Sequence, residues 1–222
     1  MHILLIAATA GEIQDSTLHL EKNDFRIGKN SVQVSITGIG LVATAYALGK
    51  TIFGHAPDLV LQAGIAGCFE KHRIGNTVVV REDCFADMGV RESGQFKNIF
   101  DLGLADSNDA PFTNGRLLNP HQKLLSLSGL DMVRSVSVNE ISTIPQDIER
   151  YQQNFSPFVE SMEGAAFHYV CLKEAIHFLQ LRSVSNFIGE RDKSKWNIKE
   201  AVRALNEQLI ILLDKLKGYD ED

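Results

Sequence analysis

Clustered cysteines and metal-binding histidines are both lacking in this chain. Its three cysteines, Cys68, Cys84 and Cys171, are odd in number and far apart, which argues against a disulfide framework and against a zinc site. The seven histidines form neither an H-x-H nor an H-E-x-x-H pattern. Neither Ser161 nor Ser185 lies in the G-x-S-x-G motif of a serine nucleophile. The sequence therefore predicts chemistry without a metal ion and without a covalent serine intermediate.

Long apolar runs are lacking as well. Residues 3–8 and 210–213 form two of the longest runs, well short of the roughly 20 apolar residues that span a bilayer. Met1 and His2 lead directly into the first of these runs, without the basic region of a signal peptide. We therefore expect a soluble, cytoplasmic protein that has no membrane partner.

The chain also has no run of basic residues. Its 22 lysines and arginines are outnumbered by 28 aspartates and glutamates, which gives a net charge of −6. Binding to a phosphate backbone requires a positively charged patch that replaces the counterions of the nucleic acid. We therefore expect no nucleic-acid partner.

What the chain does contain is enough apolar sequence for one buried core. With 222 residues and a hydrophobic content of 44%, it stays below the roughly 250 to 300 residues at which chains split into domains, so we expect one domain over residues 1–222. Runs rich in β-branched and apolar residues predict strands at 3–8, 32–37, 59–62, 77–81, 133–138 and 178–185. The spacing of apolar residues predicts helices at 41–53, 120–127, 157–175 and 198–216. Alternating strands and helices indicate a parallel or mixed sheet covered on both faces, with ligands beyond the carboxyl ends of its strands.

Glycine-rich or polar segments follow four of the predicted strands. They are A-A-T-A-G-E at 7–12, T-G-I-G-L-V-A at 37–43, A-G-I-A-G at 63–67 and S-V-S-N-F at 183–187. Small residues let a ligand approach the backbone closely. A fifth segment, S-M-E-G-A-A at 161–166, places Met162 and Glu163 at the mouth of an apolar helix. A carboxylate and a thioether there, together with Asn186 at a strand end, suit the binding of a ribose and its base, although Glu163 also fits a solvated glutamate favoured by the helix dipole.

The segment at 37–43 also has the G-x-G-x-x-A spacing of a dinucleotide fingerprint. Asp58 lies eighteen residues past Gly40, in the place of a ribose acceptor. Such a fingerprint normally opens its nucleotide-binding unit, whereas here a whole strand and the turn with Glu12 precede it. A nicotinamide or flavin role stays an alternative, and we expect no cofactor.

In their order along the chain, these segments resemble the nucleoside phosphorylase and nucleosidase superfamily over almost the whole sequence. The turn ending in Glu12, the T-G-I-G and A-G-I-A-G turns, the M-E-G-A-A helix start and the R-S-V-S-N strand end match bacterial nucleosidases that act on methylthioadenosine and adenosylhomocysteine. The ending S-N-F-I-G-E-R-D at 185–192, followed by W-N-I at 196–198, is most similar to futalosine hydrolases of menaquinone biosynthesis. The resemblance implies a three-layer α/β/α fold with a central mixed β-sheet flanked by helices, and a homo-oligomer whose subunits help to close one another's sites.

The resemblance also implies a role for each candidate site residue. Cleaving the bond between ribose and purine builds positive charge on the sugar and negative charge on the base. Glu12 would be the general base for the attacking water, and Glu163 would bind the ribose hydroxyls and oppose the developing positive charge. Met162 would pack against the sugar, and Asn186 would hold the purine near N7. The other substrate-binding candidates are Ala63, Gly64, Ile65, Ser185 and Phe187.

Asn186 is where the chain departs from the adenine-specific nucleosidases, which have an aspartate at that position. Adenine offers an amino donor that a carboxylate accepts, whereas a 6-oxopurine offers the acceptor O6, which a carboxylate repels. Leaving a buried polar group unsatisfied costs about 1 to 3 kcal/mol, and an amide donates to both O6 and N7. Asn186 therefore favours a hypoxanthine-type base, as in futalosine.

The turn at 7–12 bears on the choice between hydrolysis and phosphorolysis. Phosphorylases of this superfamily hold phosphate with arginines, one of them just after the first strand, but here the next arginine after Glu12 is Arg26. A glutamate repels phosphate and activates water, so hydrolysis of futalosine with release of hypoxanthine is the leading prediction. The alternatives are an adenine nucleosidase, a purine nucleoside phosphorylase, a dinucleotide-dependent oxidoreductase and a non-catalytic nucleoside-binding module.

The 5′ end of the substrate is less clearly marked in the sequence. Futalosine carries a benzoate-like group there, which requires an apolar pocket with a cationic or donor group. The candidates are Arg81, Arg91, Arg116 and Arg191 for charge, and Phe85, Phe112 and Phe187 for stacking. Each of these also fits a surface salt bridge or a core position. Structural roles stay open elsewhere too, since Glu12 fits a helix-start carboxylate, Met162 a core residue and Asn186 a strand-end cap.

Overall fold

The computed structural model describes residues 1–71 and 73–219. Its strands are β1 His2–Ala7, β2 Arg26–Ile27, β3 Asn30–Ile36, β4 Leu59–Cys68, β5 Thr77–Asp83, β6 Gly89–Glu92, β7 Gln95–Asn98, β8 Leu117–Leu118, β9 Met132–Ser137, β10 Val159–Ser161 and β11 His177–Phe187. Its helices are α1 Gln14–Glu21, α2 Leu41–Gly54, α3 Gln122–Ser128, α4 Pro145–Phe155, α5 Gly164–Lys173 and α6 Ile198–Lys215. Over these two ranges, no helix combines the length and the apolar content that crossing a membrane requires.

Nine of the strands form one sheet, in the order β10-β9-β5-β11-β4-β1-β3-β2, with β8 paired to β5. The central strands β3, β1, β4 and β11 run parallel, whereas β5 is antiparallel to β11. The sheet is therefore mixed, as the resemblance implies. β6 and β7 form a separate hairpin.

Helices cover both faces of this sheet. Successive residues of a strand point to opposite faces, so Ile3 and Leu5 of β1 pack with apolar residues of α1, α3 and α6. Leu4 and Ile6 of the same strand pack on the other face with residues of α2 and α5. The expected three-layer α/β/α fold with a central mixed β-sheet is confirmed.

One end of the sheet closes on itself through β10. This short strand pairs in parallel with β9 and antiparallel with β4, so that β10, β9, β5, β11 and β4 form a ring. The prediction of one continuous helix over 157–175 is wrong, because residues 159–161 are extended and α5 begins only at Gly164. The apolar sequence there resembles a helix, but pairing with two distant strands decides its conformation.

The predicted elements do not include α1 and α4. The buried apolar side chain of α1 is Leu20, and its sequence has no apolar stripe. In α4, Ile148, Tyr151 and Phe155 have helical spacing and pack in one cluster, but these three residues lie in an otherwise polar segment. Segment 83–119, for which the lack of periodicity predicts a long functional loop, contains the β6–β7 hairpin and β8. Ser93 and Gly94 both have positive φ, which is the backbone geometry of a tight hairpin turn.

Candidate functional site

Glu12 lies just beyond the carboxyl end of β1, in a short 3-10 turn over Ala10–Ile13. Its Oε2 accepts hydrogen bonds from the backbone N–H of Thr9 at 2.9 Å and from the Thr9 hydroxyl at 3.1 Å. Its Oε1 accepts from the backbone N–H of Ile65 at 3.0 Å, and Asn206 of α6 donates to its backbone carbonyl at 2.8 Å. The carboxylate therefore stabilises its own turn, as a helix-start residue does, and also bridges β1 to β4.

Glu163 lies between β10 and α5, as the residue that precedes the helix. Its Oε1 accepts a hydrogen bond from the backbone N–H of Gly40 at 3.1 Å, and its Oε2 lies 3.2 Å from Nη1 of Arg182. Arg182 is 1% exposed and also donates to Oε1 of Gln62 at 3.1 Å. A buried cation and a backbone amide thus fix the orientation of this carboxylate.

The hydrogen bond between Gly40 and Glu163 argues against a dinucleotide site at residues 37–43. In a dinucleotide site, the backbone amides of this turn bind a pyrophosphate. Here the Gly40 amide instead binds the carboxylate of Glu163, whose negative charge would repel a pyrophosphate. Over residues 1–71 and 73–219, no three side chains of His, Cys, Asp or Glu are grouped to bind a metal ion.

Gly64 on β4 lies between the carboxylate of Glu12 and the ion pair of Glu163 with Arg182. A Cβ at this position would lie 3.0 Å from Oε1 of Glu12 and closer still to Nη1 of Arg182. Glu12 and the Arg182–Glu163 pair therefore approach the same point of the backbone from two sides. The absence of a side chain at residue 64 is what allows them to converge.

Gly164 has a similar function beneath the start of α5. A Cβ there would overlap Oδ2 of Asp83 and Nε2 of Gln180, which lie in a buried polar layer under the helix. Burial raises the pKa of Asp83 to about 6, against the opposing hydrogen bond from Ser137. The Ser137 hydroxyl also accepts the backbone N–H of Ala165 at 2.8 Å. The M-E-G-A-A sequence therefore packs the helix start tightly on the sheet and holds Glu163 in place.

Asn186 lies where β11 becomes irregular. The register with β4 shifts between Val184 and Asn186, which is a β-bulge that re-aims the following side chains. The Ser185 hydroxyl lies 2.8 Å from Oδ1 of Asn186, and Nδ2 of Asn186 donates to the carbonyl of Phe187 at 3.1 Å. Asn186 thus has the local hydrogen bonds of a strand-end residue while its amide borders the adjacent cavity.

A cavity of about 510 Å³ joins these elements at the carboxyl end of the sheet. Six of the nine residues proposed for catalysis and for binding the sugar and base line it, namely Glu12, Ile65, Met162, Glu163, Ser185 and Asn186. Three others do not. Ala63 is buried in the core beneath the sheet, Gly64 is covered by Arg182, and the ring of Phe187 lies under Lys71 at 5.6 Å.

The lining also includes residues that no sequence motif indicates. Ile141 and Ser142 follow β9, and Glu160 lies on β10. Nothing in the local sequence marks them, because residues 157–163 resemble a helix and 139–144 an ordinary loop. Of the candidates for the 5′ substituent, Arg191 lines the cavity beside Trp196, whereas Arg91 and Arg116 form ion pairs with Asp147 and Glu82.

Comparison with known proteins agrees with the fold. Residues 5–217 match the family model of the phosphorylase superfamily. A futalosine hydrolase from Thermus thermophilus is 31% identical over 82% of this chain and 81% of its own length. A 5′-methylthioadenosine/S-adenosylhomocysteine nucleosidase from Aeromonas salmonicida is 27% identical over 91% of both chains. The solved structure of such a nucleosidase from Colwellia psychrerythraea, in complex with adenine, has a TM-score of 0.80 at 20% identity and covers 100% of this chain and 98% of its own. The chain therefore belongs to the phosphorylase superfamily, and within it to the nucleosidases, which are N-glycosyl hydrolases.

Proposed function

We propose that this nucleosidase hydrolyses the N-ribosidic bond of a 6-oxopurine nucleoside, with futalosine as its substrate and hypoxanthine as the released base. The observation that carries the proposal is the convergence of Glu12, Glu163 and Asn186 on one cavity. Its volume of about 510 Å³ is typical of a site for a small organic ligand. The base would lie beside Asn186 and the ribose between the two glutamates.

The two glutamates would act on different reactants, Glu163 on the sugar and Glu12 on the attacking water. Glu163 has lone pairs beyond those used by Gly40 and Arg182, and these would accept hydrogen bonds from the ribose hydroxyls. Its negative charge would stabilise the oxocarbenium-like sugar as the bond breaks. Glu12 would accept a proton from the attacking water as general base. Met162 would provide an adaptable apolar contact for the sugar.

Water, rather than phosphate, fits the charges of this site. Arg182 is engaged by Glu163 and Gln62, and Arg191 is the one basic residue in the described cavity lining. Glu12 would repel a phosphate at the position of the nucleophile. Product analysis with and without added phosphate tests this assignment. Free ribose products at a phosphate-independent rate are expected, and a sugar 1-phosphate formed in proportion to phosphate would contradict it.

Base preference separates the proposal from its closest alternative, since relatives of both kinds are known. The Thermus thermophilus relative is a futalosine hydrolase and the Aeromonas salmonicida relative is a methylthioadenosine nucleosidase. Asn186 favours the first, because the Nδ2 hydrogen that Phe187 does not bind would be donated to the O6 and N7 edge of a 6-oxopurine. An aspartate at this position would instead accept the amino group of adenine.

Asn186→Asp is expected to reverse the preference between 6-oxo and 6-amino nucleosides. The ratio of kcat/KM for futalosine to that for methylthioadenosine should fall roughly 5- to 160-fold, because about 1 to 3 kcal/mol is lost when a buried acceptor faces an acceptor. Steady-state kinetics on both substrates, with the released base identified by chromatography, measure this ratio. The exposed Asn23→Asp change introduces the same charge away from the cavity and should leave the ratio unaltered. An unchanged ratio in Asn186→Asp would refute the role of this residue.

The 5′ substituent would lie toward Arg191 and Trp196. The Arg191 guanidinium is 5.5 Å from the centre of the Trp196 ring, and both residues line the cavity. An aromatic ring beside a cation suits a benzoate-like group, since the indole contacts the ring and the guanidinium binds the carboxylate. Ile198 and Val202 of α6 add apolar surface at the same end.

A second copy of the chain would close the mouth of this cavity. Ile39 lines the cavity and is 65% exposed. On α2, the exposed residues Val42, Tyr46 and Phe53 continue from it along one helix face. Large apolar side chains at this spacing on a solvent-facing helix mark an interaction surface. We therefore propose a homo-oligomer that associates through α2.

Val42→Glu is expected to dissociate this oligomer and to lower activity, because it introduces a charge into the apolar face beside the cavity. Light scattering coupled to size-exclusion chromatography should show a shift to the monomer, with a fall in kcat/KM of at least 10-fold. Ile211→Glu places the same charge on an exposed position of α6 and should alter neither. A wild-type protein that is monomeric at assay concentration would contradict the proposed association.

A further inference from the structure

Glu160 is a third carboxylate in the cavity, and the proposed mechanism does not use it. It lies on β10, lines the cavity and is 6% exposed. Its Oε1 accepts the backbone N–H of Ser142 at 3.0 Å, and its Oε2 accepts the Ser142 hydroxyl. An ionised carboxylate has about four acceptor sites, so two of them remain for a ligand.

The register of the sheet places Glu160 opposite Asn186. Both residues pair with Gly67 of β4, Glu160 from β10 on one side and Asn186 from β11 on the other. Paired residues of adjacent strands project to the same face. A Cβ at Gly67 would lie 3.5 Å from Nδ2 of Asn186 and 2.9 Å from Cγ1 of Ile188, so the amide borders the space above this glycine.

The separation between the two side chains suits a purine. Two strand spacings place the backbones of Glu160 and Asn186 roughly 10 Å apart, with Gly67 adding no side chain between them. Because the Ile188 side chain occupies the space directly over Gly67, a planar base would lie on this side chain and present one edge to each neighbour. The apolar side chain of Ile188, which also lines the cavity, would contact its face.

The chemistry of the two edges differs between bases. A 6-oxopurine has acceptors at O6 and N7 on one edge and a donor, N1–H, on the other. Adenine has an acceptor at N1, which an ionised carboxylate repels. In the proposed function, Asn186 donates a hydrogen bond to the edge of the base that carries O6 and N7. The N1–H group of the base then has no assigned partner.

We infer that Glu160 accepts the N1–H of a 6-oxopurine and is a second determinant of base specificity, held in position by Ser142. This inference rests on the proposed function and extends it to the opposite edge of the base. Burial raises the pKa of the Glu160 carboxyl, and an additional donor at its free lone pairs would stabilise the ionised form. A hydrogen bond to a charged group contributes more than a neutral one.

Glu160→Gln and Glu160→Ala test the inference through a ratio of substrates. In Glu160→Gln, Ser142 would hold the amide oxygen by its backbone N–H, leaving an amide hydrogen directed at the base. The ratio of kcat/KM for futalosine to that for methylthioadenosine should fall at least 10-fold in both variants. Glu92→Gln removes a carboxylate from the exposed hairpin and should leave the ratio at its wild-type value. A purely structural role for Glu160 would lower both kcat/KM values together, with the ratio unchanged, and would overturn the inference.

Binding of the free base gives an independent readout. Wild-type protein should bind hypoxanthine at least 10-fold more tightly than 1-methylhypoxanthine, which lacks N1–H, and Glu160→Ala should reduce this difference to a small factor. Calorimetric titration measures both affinities, and equal discrimination in wild type and variant would overturn the inference. If wild type cleaves only 6-aminopurine nucleosides, the proposed function fails as well. If wild type prefers futalosine but the Glu160 variants keep that preference, only the role of Glu160 is wrong.

Discussion

Glu12→Gln is expected to lower kcat for futalosine by about 10²- to 10⁴-fold, which is the usual contribution of a general base. Glutamine has nearly the same shape, and its one carbonyl oxygen can accept either the hydrogen bonds from Thr9 or the one from Ile65, which Glu12 binds with separate oxygens, but it cannot take a proton from water. KM should change much less than kcat, because the proposed contacts with the ribose and the base are made by other residues. Single-turnover and steady-state kinetics with chromatographic detection of the base measure both quantities.

A control variant and a stability measurement distinguish loss of the general base from loss of structure in Glu12→Gln. Glu21→Gln removes a carboxylate from the exposed end of α1 and should leave kcat unchanged. Thermal unfolding of Glu12→Gln reports whether loss of the bridge to β4 has also loosened the fold. Full activity in a correctly folded Glu12→Gln protein would rule out this carboxylate as the base.

Gly64→Ala is the second substitution for which a large effect is expected. The new methyl group would lie 3.0 Å from Oε1 of Glu12 and inside contact distance of the Arg182 guanidinium. Because Arg182 is buried and paired with Glu163, it has little room to move. We expect kcat/KM to fall at least 100-fold, since displacement of a catalytic group by about 1 Å costs that much, and stability to fall by about 1 to 3 kcal/mol, the usual cost of overpacking a core.

Gly218→Ala provides a matched control for this change. A Cβ at Gly218 would meet no atom within 4 Å, so neither activity nor stability should change appreciably. Urea unfolding gives the free energy of each variant, and kinetics give its activity. If Gly64→Ala matched wild type in both measurements, the close approach of Glu12 and Arg182 at this glycine would be incorrect.

Much of the fold could be predicted from residue patterns alone. Continuous apolar runs such as residues 3–8 predict strands buried on both faces, and β1 has that character. The apolar stripe of residues 198–216 predicts α6, whose buried side chains pack on the sheet. These predictions succeed because strand and helix periods are local properties, set by which neighbours share a face.

Elements that depend on distant partners could not be predicted in this way. The three residues of β10 are extended because β9 and β4 provide hydrogen bonds on both sides, and their own sequence resembles the start of a helix. Glu160 was missed for the same reason, since a residue assigned to a helix has no predicted register with Gly67. The hairpin of β6 and β7 contains a Ser-Gly turn, but it lacks the alternating apolar pattern that identifies strands.

By itself, the sequence determined the mixed α/β architecture, the family resemblance and the types of chemical group that are available, namely two carboxylates, a thioether and an amide at the ends of predicted elements. Only the tertiary structure decided which of these groups share a cavity. It brought Glu12, Glu163 and Asn186 to one end of the sheet, left Ala63 and Phe187 outside the lining, and added Glu160. The physical reason is that a local pattern specifies the direction of a side chain relative to its own strand or helix, whereas convergence depends on strand order, on the closure of the ring by β10 and on the space left by Gly64 and Gly67.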